Sequence, residues 1–267
     1  MRNLSLILIV WTLLSCNEKQ KTTPEEVKTE VVAKVTENKY PEAFIRVLNA
    51  HGGLANWKRQ KTLSFEIPSE NGVELQTIDL YSRKDKIVKG AVAMGFDGKN
   101  VWLLDEAKTY KGDPAFYHNL MFYFSAMPFV LADKGIVYGA TEALVFEGKS
   151  YPGISISYHP GVGVSYKDEY VMHYDPETYQ MAWLGYTVSY GTGEKSDHMN
   201  WIRYADWGSV DGLLLPQSIT WYDHEGKALK EPKNTVNFGA INVSTEAHQD
   251  KYYLQPELAT VVTGKVQ

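Results

Sequence analysis

Cysteine is nearly absent: one residue, Cys16, in a chain of 267. A lone thiol excludes any intramolecular disulfide, so the fold rests on packing alone. The signatures of common chemistry are missing too. There is no P-loop, no GxGxxG following a strand, no HExxH and no GxSxG elbow. Positive charge is in deficit, with 27 Lys and Arg against 32 Asp and Glu and a net charge of −5. A mildly acidic surface argues against nucleic acid as a partner, which needs a basic face. No repeat of fixed period is present, so solenoids and propellers drop out.

What is present begins with an apolar run at the N-terminus. Residues 1–16, MRNLSLILIVWTLLSC, place one positive residue, Arg2, before a run from Leu4 to Leu14 broken only by Ser5 and Thr12. That run is too short for a stable span and reads as an export signal over residues 1–15. Leu13-Leu14-Ser15-Cys16 resembles the lipobox of bacterial lipoproteins, which implies a lipid on Cys16 and a tether to the membrane. Several acyl chains on one residue hold stably, at about 0.8 kcal/mol per buried methylene. Loss of the signal removes Arg2 and takes the net charge from −5 to −6. The competing reading is a secreted protein with a leftover thiol. Residues 17–39, rich in Glu, Lys and Thr and free of aromatics, read as a flexible tether. The folded domain is expected over residues 40–267.

The organising element is the segment Asp113 to Asp133, DPAFYHNLMFYFSAMPFVLAD. Asp113 suits an N-cap and Pro114 the first helical position. Phe116, Leu120, Phe124, Met127 and Leu131 recur at steps of three and four, a helical stripe. Met121, Phe122, Tyr123, Phe129 and Val130 fill most of the remaining circumference, so the helix is expected to be buried nearly all round. Pro128 predicts a longer helix followed by a short one. A membrane span competes on length, but His118, Asn119, Ser125 and Pro128 interrupt it.

Around this segment the periodicity is that of strands. An opening helix, PEAFIRVLNAHGG, carries Phe44, Val47 and Leu48 on one face and Gly52 or Gly53 as a left-handed cap. His51 is expected to satisfy that helix end. Strand patterns then run from Lys61 to Leu104 and resume from Ala143 to Val243, with Asp97-Gly98 and Asp175-Pro176-Glu177-Thr178 as turns. Pro216 in its strand predicts an edge or a bulge. About ten to twelve strands joined by short turns give a mainly β domain with helices, mostly antiparallel, curled around the central helix.

Candidate chemistry is thin. His173 and Asp175 share a strand face, the spacing of two metal ligands, but no third partner is near in sequence. Glu169 and Asp175 are two among many carboxylates that glycoside hydrolysis would need in pairs. Asp197-His198 sits in a polar turn. Trp102, Trp183, Trp201 and Trp221 fall in strands, where packing is the default and a flat platform for sugars the alternative. No metal or cofactor is expected.

Three pieces taken together resemble a family. They are HGGLANWKRQKTLSFEI, YDPETYQMAWLGY and VDGLLLPQSI, at residues 51–67, 174–186 and 210–219. As a set they resemble the outer-membrane lipoprotein carrier (Lol-like) superfamily, and within it an uncharacterised lipoprotein family of Bacteroidota. The resemblance implies a strongly curved antiparallel sheet, an incomplete β-barrel, with helices over its concave face and an apolar ligand between them. The arginine with which the general carrier engages a lipoprotein has no clear counterpart. The expected function is a non-enzymatic, membrane-tethered envelope protein, at the outer membrane and facing the periplasm. It would take an apolar or lipid-like ligand against Phe116, Leu120, Phe124, Met127 and Leu131. A hydrolase acting on glycan or lipid, and a structural or partner-binding lipoprotein with a filled core, stay open as alternatives. Oligomeric state is open as well.

Overall fold

A computed structural model describes residues 39–159, 167–226 and 228–262. The expected signal segment, Cys16 and nearly all of the tether lie outside the described residues. The described chain forms fourteen strands in two antiparallel sheets of seven, with four short α-helices and two 3₁₀ turns. Neither sheet closes into a barrel. The count exceeds the expected ten to twelve for identifiable reasons. The stretch 86–95 folds at Gly90 into two strands, the stretch 236–243 divides at Phe238, and a short strand forms at residues 260–262.

The first sheet contains β1 (Thr62–Ser69), β2 (Gly72–Asp79), β3 (Asp85–Lys89), β4 (Val92–Phe96), β5 (Val101–Leu104), β13 (Gly239–Ser244) and β14 (Thr260–Val262). Its order is β13-β1-β2-β3-β4-β5-β14. The second contains β6 (Ile136–Phe146), β7 (Lys149–Tyr158), β8 (Tyr170–Tyr174), β9 (Met181–Tyr186), β10 (Asn200–Val210), β11 (Leu213–Glu225) and β12 (Ala228–Asn237). Its order is β12-β11-β10-β9-β8-β7-β6. The chain passes from one sheet to the other between β12 and β13, where buried Phe238 meets Phe65 edge-on at 5.3 Å.

Helix α1 (Glu42–Ala50) buries Phe44, Val47 and Leu48, the face its spacing predicts. The Gly53 N–H bonds the Leu48 carbonyl at 2.8 Å, and Gly52 sits at φ 96°. A Cβ on Gly52 would lie 2.0 Å from the Gly212 carbonyl oxygen, so only glycine lets the helix end dock on the turn before β11. His51 is fully buried there. Its Nδ1 meets the Val47 carbonyl at 2.8 Å and its Nε2 accepts the Met181 N–H at 3.4 Å. Those contacts fit a neutral ring, and burial pushes its pKa down to about 4. Helix α2 (Leu54–Trp57) follows, and Trp57 stacks on Phe129 at 4.8 Å.

The central segment forms three pieces rather than a longer helix and a shorter one. They are α3 (Pro114–Tyr117), α4 (Leu120–Ser125) and a 3₁₀ turn at Phe129–Ala132. The break at Pro128 is the expected one. The additional break falls at His118 and Asn119, next to two side chains bonded to the first sheet. The Tyr117 hydroxyl donates to Glu74 at 2.8 Å, and His118 Nδ1 meets Asp85 at 2.7 Å. Phe122, Phe124, Met127, Phe129, Val130 and Leu131 are buried in a core shared with both sheets. No helix among the described residues is long and apolar enough to cross a membrane.

Candidate functional site

The inward face of the second sheet changes character along one row. Met172, Leu184 and Ile202 stand directly opposite one another on β8, β9 and β10 and are completely buried. Two residues outward, the same face carries Tyr170, Tyr186 and Asn200, again in register and now only half-buried. On the flanking strands, Trp221 of β11 stands opposite Ile202 of the sealed row but is itself half-buried, and Tyr158 of β7 lies two residues beyond Ile156, the partner of Tyr170. The rings touch in sequence: Tyr158 to Tyr170 at 5.8 Å, Tyr170 to Tyr186 at 6.3 Å, and Tyr186 to Phe124 at 5.4 Å. Trp221 crosses Phe124 at 5.7 Å and donates its indole N–H to the Tyr186 hydroxyl at 2.9 Å.

Helix α4 covers this wall through Phe124, and α3 precedes it, bonded to the first sheet. Leu120 is half-buried, and Tyr123 keeps 40% of its surface exposed. Burial nevertheless pushes the Tyr123 hydroxyl pKa up, as it does for Tyr158, Tyr170 and Tyr186. Phe116 on α3 is half-buried against Tyr190 at 4.9 Å.

The five residues expected to line a ligand site therefore divide. Phe116, against Tyr190, and Leu120, at the start of α4, are half-buried. Phe124, Met127 and Leu131 are sealed in the core, none more than 4% exposed. None of the five lines a cavity of about 400 Å³ that opens at β10, β11 and β12. His173 and Asp175 do not converge: His173 Nδ1 meets the Tyr151 carbonyl, and Asp175 pairs with Lys149.

Sequence reasoning missed a polar patch beneath α3. On β2 the apolar Val73 and Leu75 face outward at 48% and 39% exposure, while Glu74 and Gln76 face inward at 9% and 0%. Strand alternation alone leaves that phase open, because either face can be the buried one. Gln76 donates to Glu74 at 2.7 Å, and Tyr117 donates to the same carboxylate oxygen. Asp85, opposite Ile78 on the neighbouring strand, shares this face and is 1% exposed. Burial pushes its pKa up to about 6, against the pull of the His118 hydrogen bond. Gln76 Oε1 and Asp85 Oδ1 have no partner among the described residues. On its other side α3 is held by Tyr190, whose hydroxyl donates to the Asp113 cap at 3.2 Å. Helix α3, and through it the start of α4, is thus fastened by hydrogen bonds to carboxylates rather than by packing alone.

A family model described as a family of unknown function (DUF6503) matches residues 3–204, most of the chain. The chain belongs to the DUF6503 family. No curated protein matches this DUF6503 member. Among solved structures it is similar to the LolA superfamily protein NE2245 from Nitrosomonas europaea, at 10% identity and a TM-score of 0.37, covering 78% of this chain and 96% of that one. It is also similar to a DUF1329 family protein from Desulfovibrio piger, at 10% identity and a TM-score of 0.46, covering 79% and 95%. A third is the lipoprotein LppX from Mycobacterium tuberculosis, at 11% identity and a TM-score of 0.24, covering 55% and 88%.

Proposed function

We propose that this DUF6503 protein is a non-enzymatic lipoprotein of the cell envelope, tethered through Cys16, that binds an apolar or lipid-like ligand between α3–α4 and the end of the second sheet. The observation that carries the reading is the pair Tyr170 and Tyr186, half-buried directly beyond the sealed pair Met172 and Leu184, with half-buried Trp221 bonded to Tyr186. Half-buried rings offer apolar faces to a chain, and Tyr186, whose hydroxyl already accepts the Trp221 indole N–H, needs little rearrangement to receive it. Phe116, Leu120 and Tyr123 supply the opposite side, and the sealed residues beneath set the depth. The Glu74 and Asp85 contacts of α3 would hold the cover in place until a ligand displaces it.

The test is contact quenching by a brominated long-chain fatty acid. Bromine quenches only an indole it touches, and Trp221 is the tryptophan on the wall. Saturable quenching in the wild type should fall in Trp221→Phe and weaken in Tyr123→Ala. Quenching that is absent, or unchanged in both variants, would remove the proposal.

A further inference from the structure

The cavity of about 400 Å³ at β10, β11 and β12 has a different chemistry from the aromatic wall. Its aromatic lining is Tyr222 and the largely buried Trp201, together with Trp221, which it shares with the aromatic wall, and between them stand amide, carboxylate, ammonium and imidazole groups. Trp201 and Tyr222 lie directly opposite one another, on the outward face of the sheet. In β12 the register slips opposite Trp221 and Tyr222 and again before His224, so that extra residues are accommodated beside the cavity. Bulges of this kind re-aim side chains at an edge, and here Lys233 falls at the first slip.

From these groups we infer a second binding site, for a neutral, hydroxyl-rich saccharide. The aromatic faces suit the C–H faces of a sugar ring, and polar groups at their margins suit its hydroxyls. Asp223 and Lys233 are paired at 3.0 Å, presenting an acceptor and a donor side by side. Asn200 commits only its amide nitrogen, to the Tyr186 carbonyl at 3.5 Å, and keeps its oxygen. His224 Nδ1 meets the Gly226 carbonyl at 3.0 Å, which leaves Nε2 for a ligand, and the ring lies 5.4 Å from that of His198.

One independent observation points the same way. The Trp201 side chain, only 5% exposed, has a buried indole N–H with no partner among the described residues. An unpaired buried donor is uncommon in native structures, and Trp201 is one of the residues that line this cavity. The other ligand classes fit less well. The one ammonium lining the cavity is already neutralised by Asp223, which disfavours an anion. Among the described residues no group of three His, Cys, Asp or Glu can hold a metal. A lipid chain would leave the polar groups without partners. Most of the lining follows residue 204, beyond the stretch that the family model matches.

The experiment titrates the purified full-length chain with cellotriose, maltotriose and chitotriose at millimolar concentrations, reading tryptophan emission and the heat of binding. At least one should give saturable binding with a shift in emission. Tyr222→Ala and Asp223→Asn should each weaken it about tenfold or more. Asp223 is exposed, so its variant tests the site without threatening the fold. Trp201→Phe, which keeps a ring and deletes the N–H, should weaken it as well. Leu120→Ala and Tyr123→Ala, on the aromatic wall, should leave saccharide binding unchanged, so this site and the apolar one fail separately. No saturable response to any of the three sugars would overturn the inference, as would binding that survives both Tyr222→Ala and Asp223→Asn.

Discussion

Truncating Phe124 and Leu120 to alanine separates a sealed core from an open wall. Phe124 is 4% exposed, with ring contacts to Tyr186 at 5.4 Å and Trp221 at 5.7 Å. Its carbonyl also accepts the buried Tyr204 hydroxyl, which holds the surrounding backbone in place. A Phe→Ala change at a packed site costs about 3–5 kcal/mol, through lost transfer energy plus a cavity that cannot fully collapse. Each aromatic pair lost adds roughly 0.5–1.5 kcal/mol beyond area, placing Phe124→Ala at the upper end. Leu120, one turn earlier and half-buried, already meets water. Its truncation should cost roughly 1–2 kcal/mol, about half of what a fully buried leucine loses. At roughly 2–4 °C per kcal/mol in a domain of this size, the melting temperature should drop by about 10 °C or more for Phe124→Ala and by a few degrees for Leu120→Ala. Urea and thermal unfolding of the two variants against wild type measure the difference. Equal costs would refute the division. A cheap Phe124→Ala would mean that the ring borders a void, since a surface without partners has little packing to lose. The ligand site would then lie beneath α4 rather than beside it.

Two further outcomes are expected. Asp85 has a folded-state pKa raised to about 6 from 3.8, so the native state holds the extra proton and the stabilisation is complete below about 4 and lost as pH rises through 6. Asp85→Asn should therefore gain on wild type by up to about 3 kcal/mol between those limits in urea unfolding, and parallel pH curves would show that this carboxyl is not buried as described. Cys16→Ala should abolish lipidation and move the protein out of the membrane fraction; unchanged mass and membrane association would end the lipoprotein reading.

What the sequence made legible was whatever depends on short-range pattern. The face Phe44, Val47, Leu48, the glycine cap after His51 and the Asp97 and Asp175 turns follow from spacing and backbone chemistry, and the structure shows each one. Pro216 in β11 is likewise accommodated next to a register shift. Elements that lean on a neighbouring strand rather than on an apolar pattern of their own were less visible. Strand β12 is almost wholly exposed and polar, so its sequence carries no apolar alternation, and it exists because β11 offers it an edge. Strand β14 forms three residues against β5 for the same reason.

The helical segment shows where local pattern reaches its limit. Its apolar period runs from Phe116 to Leu131 without a phase break, and period alone predicts one helix up to Pro128. The structure breaks it earlier, at His118 and Asn119, because two polar side chains there are bonded across the domain to Glu74 and Asp85. Those carboxylates lie on strands whose inward phase no local rule determines. A buried acid becomes visible only once its partner is brought to it, and the partners here are 43 and 33 residues apart in sequence. The same logic governs the aromatic wall. Tyr158, Tyr170, Tyr186 and Trp221 are unremarkable as strand residues taken singly, and they become a surface because antiparallel register sets Tyr170 beside Tyr186 where the core stops being sealed, with Tyr158 and Trp221 joined to them by a ring contact and a hydrogen bond. A surface of this kind is a property of register and helix position together, so if it binds as proposed, changing α3's hold on the first sheet should alter ligand access without touching a single wall residue.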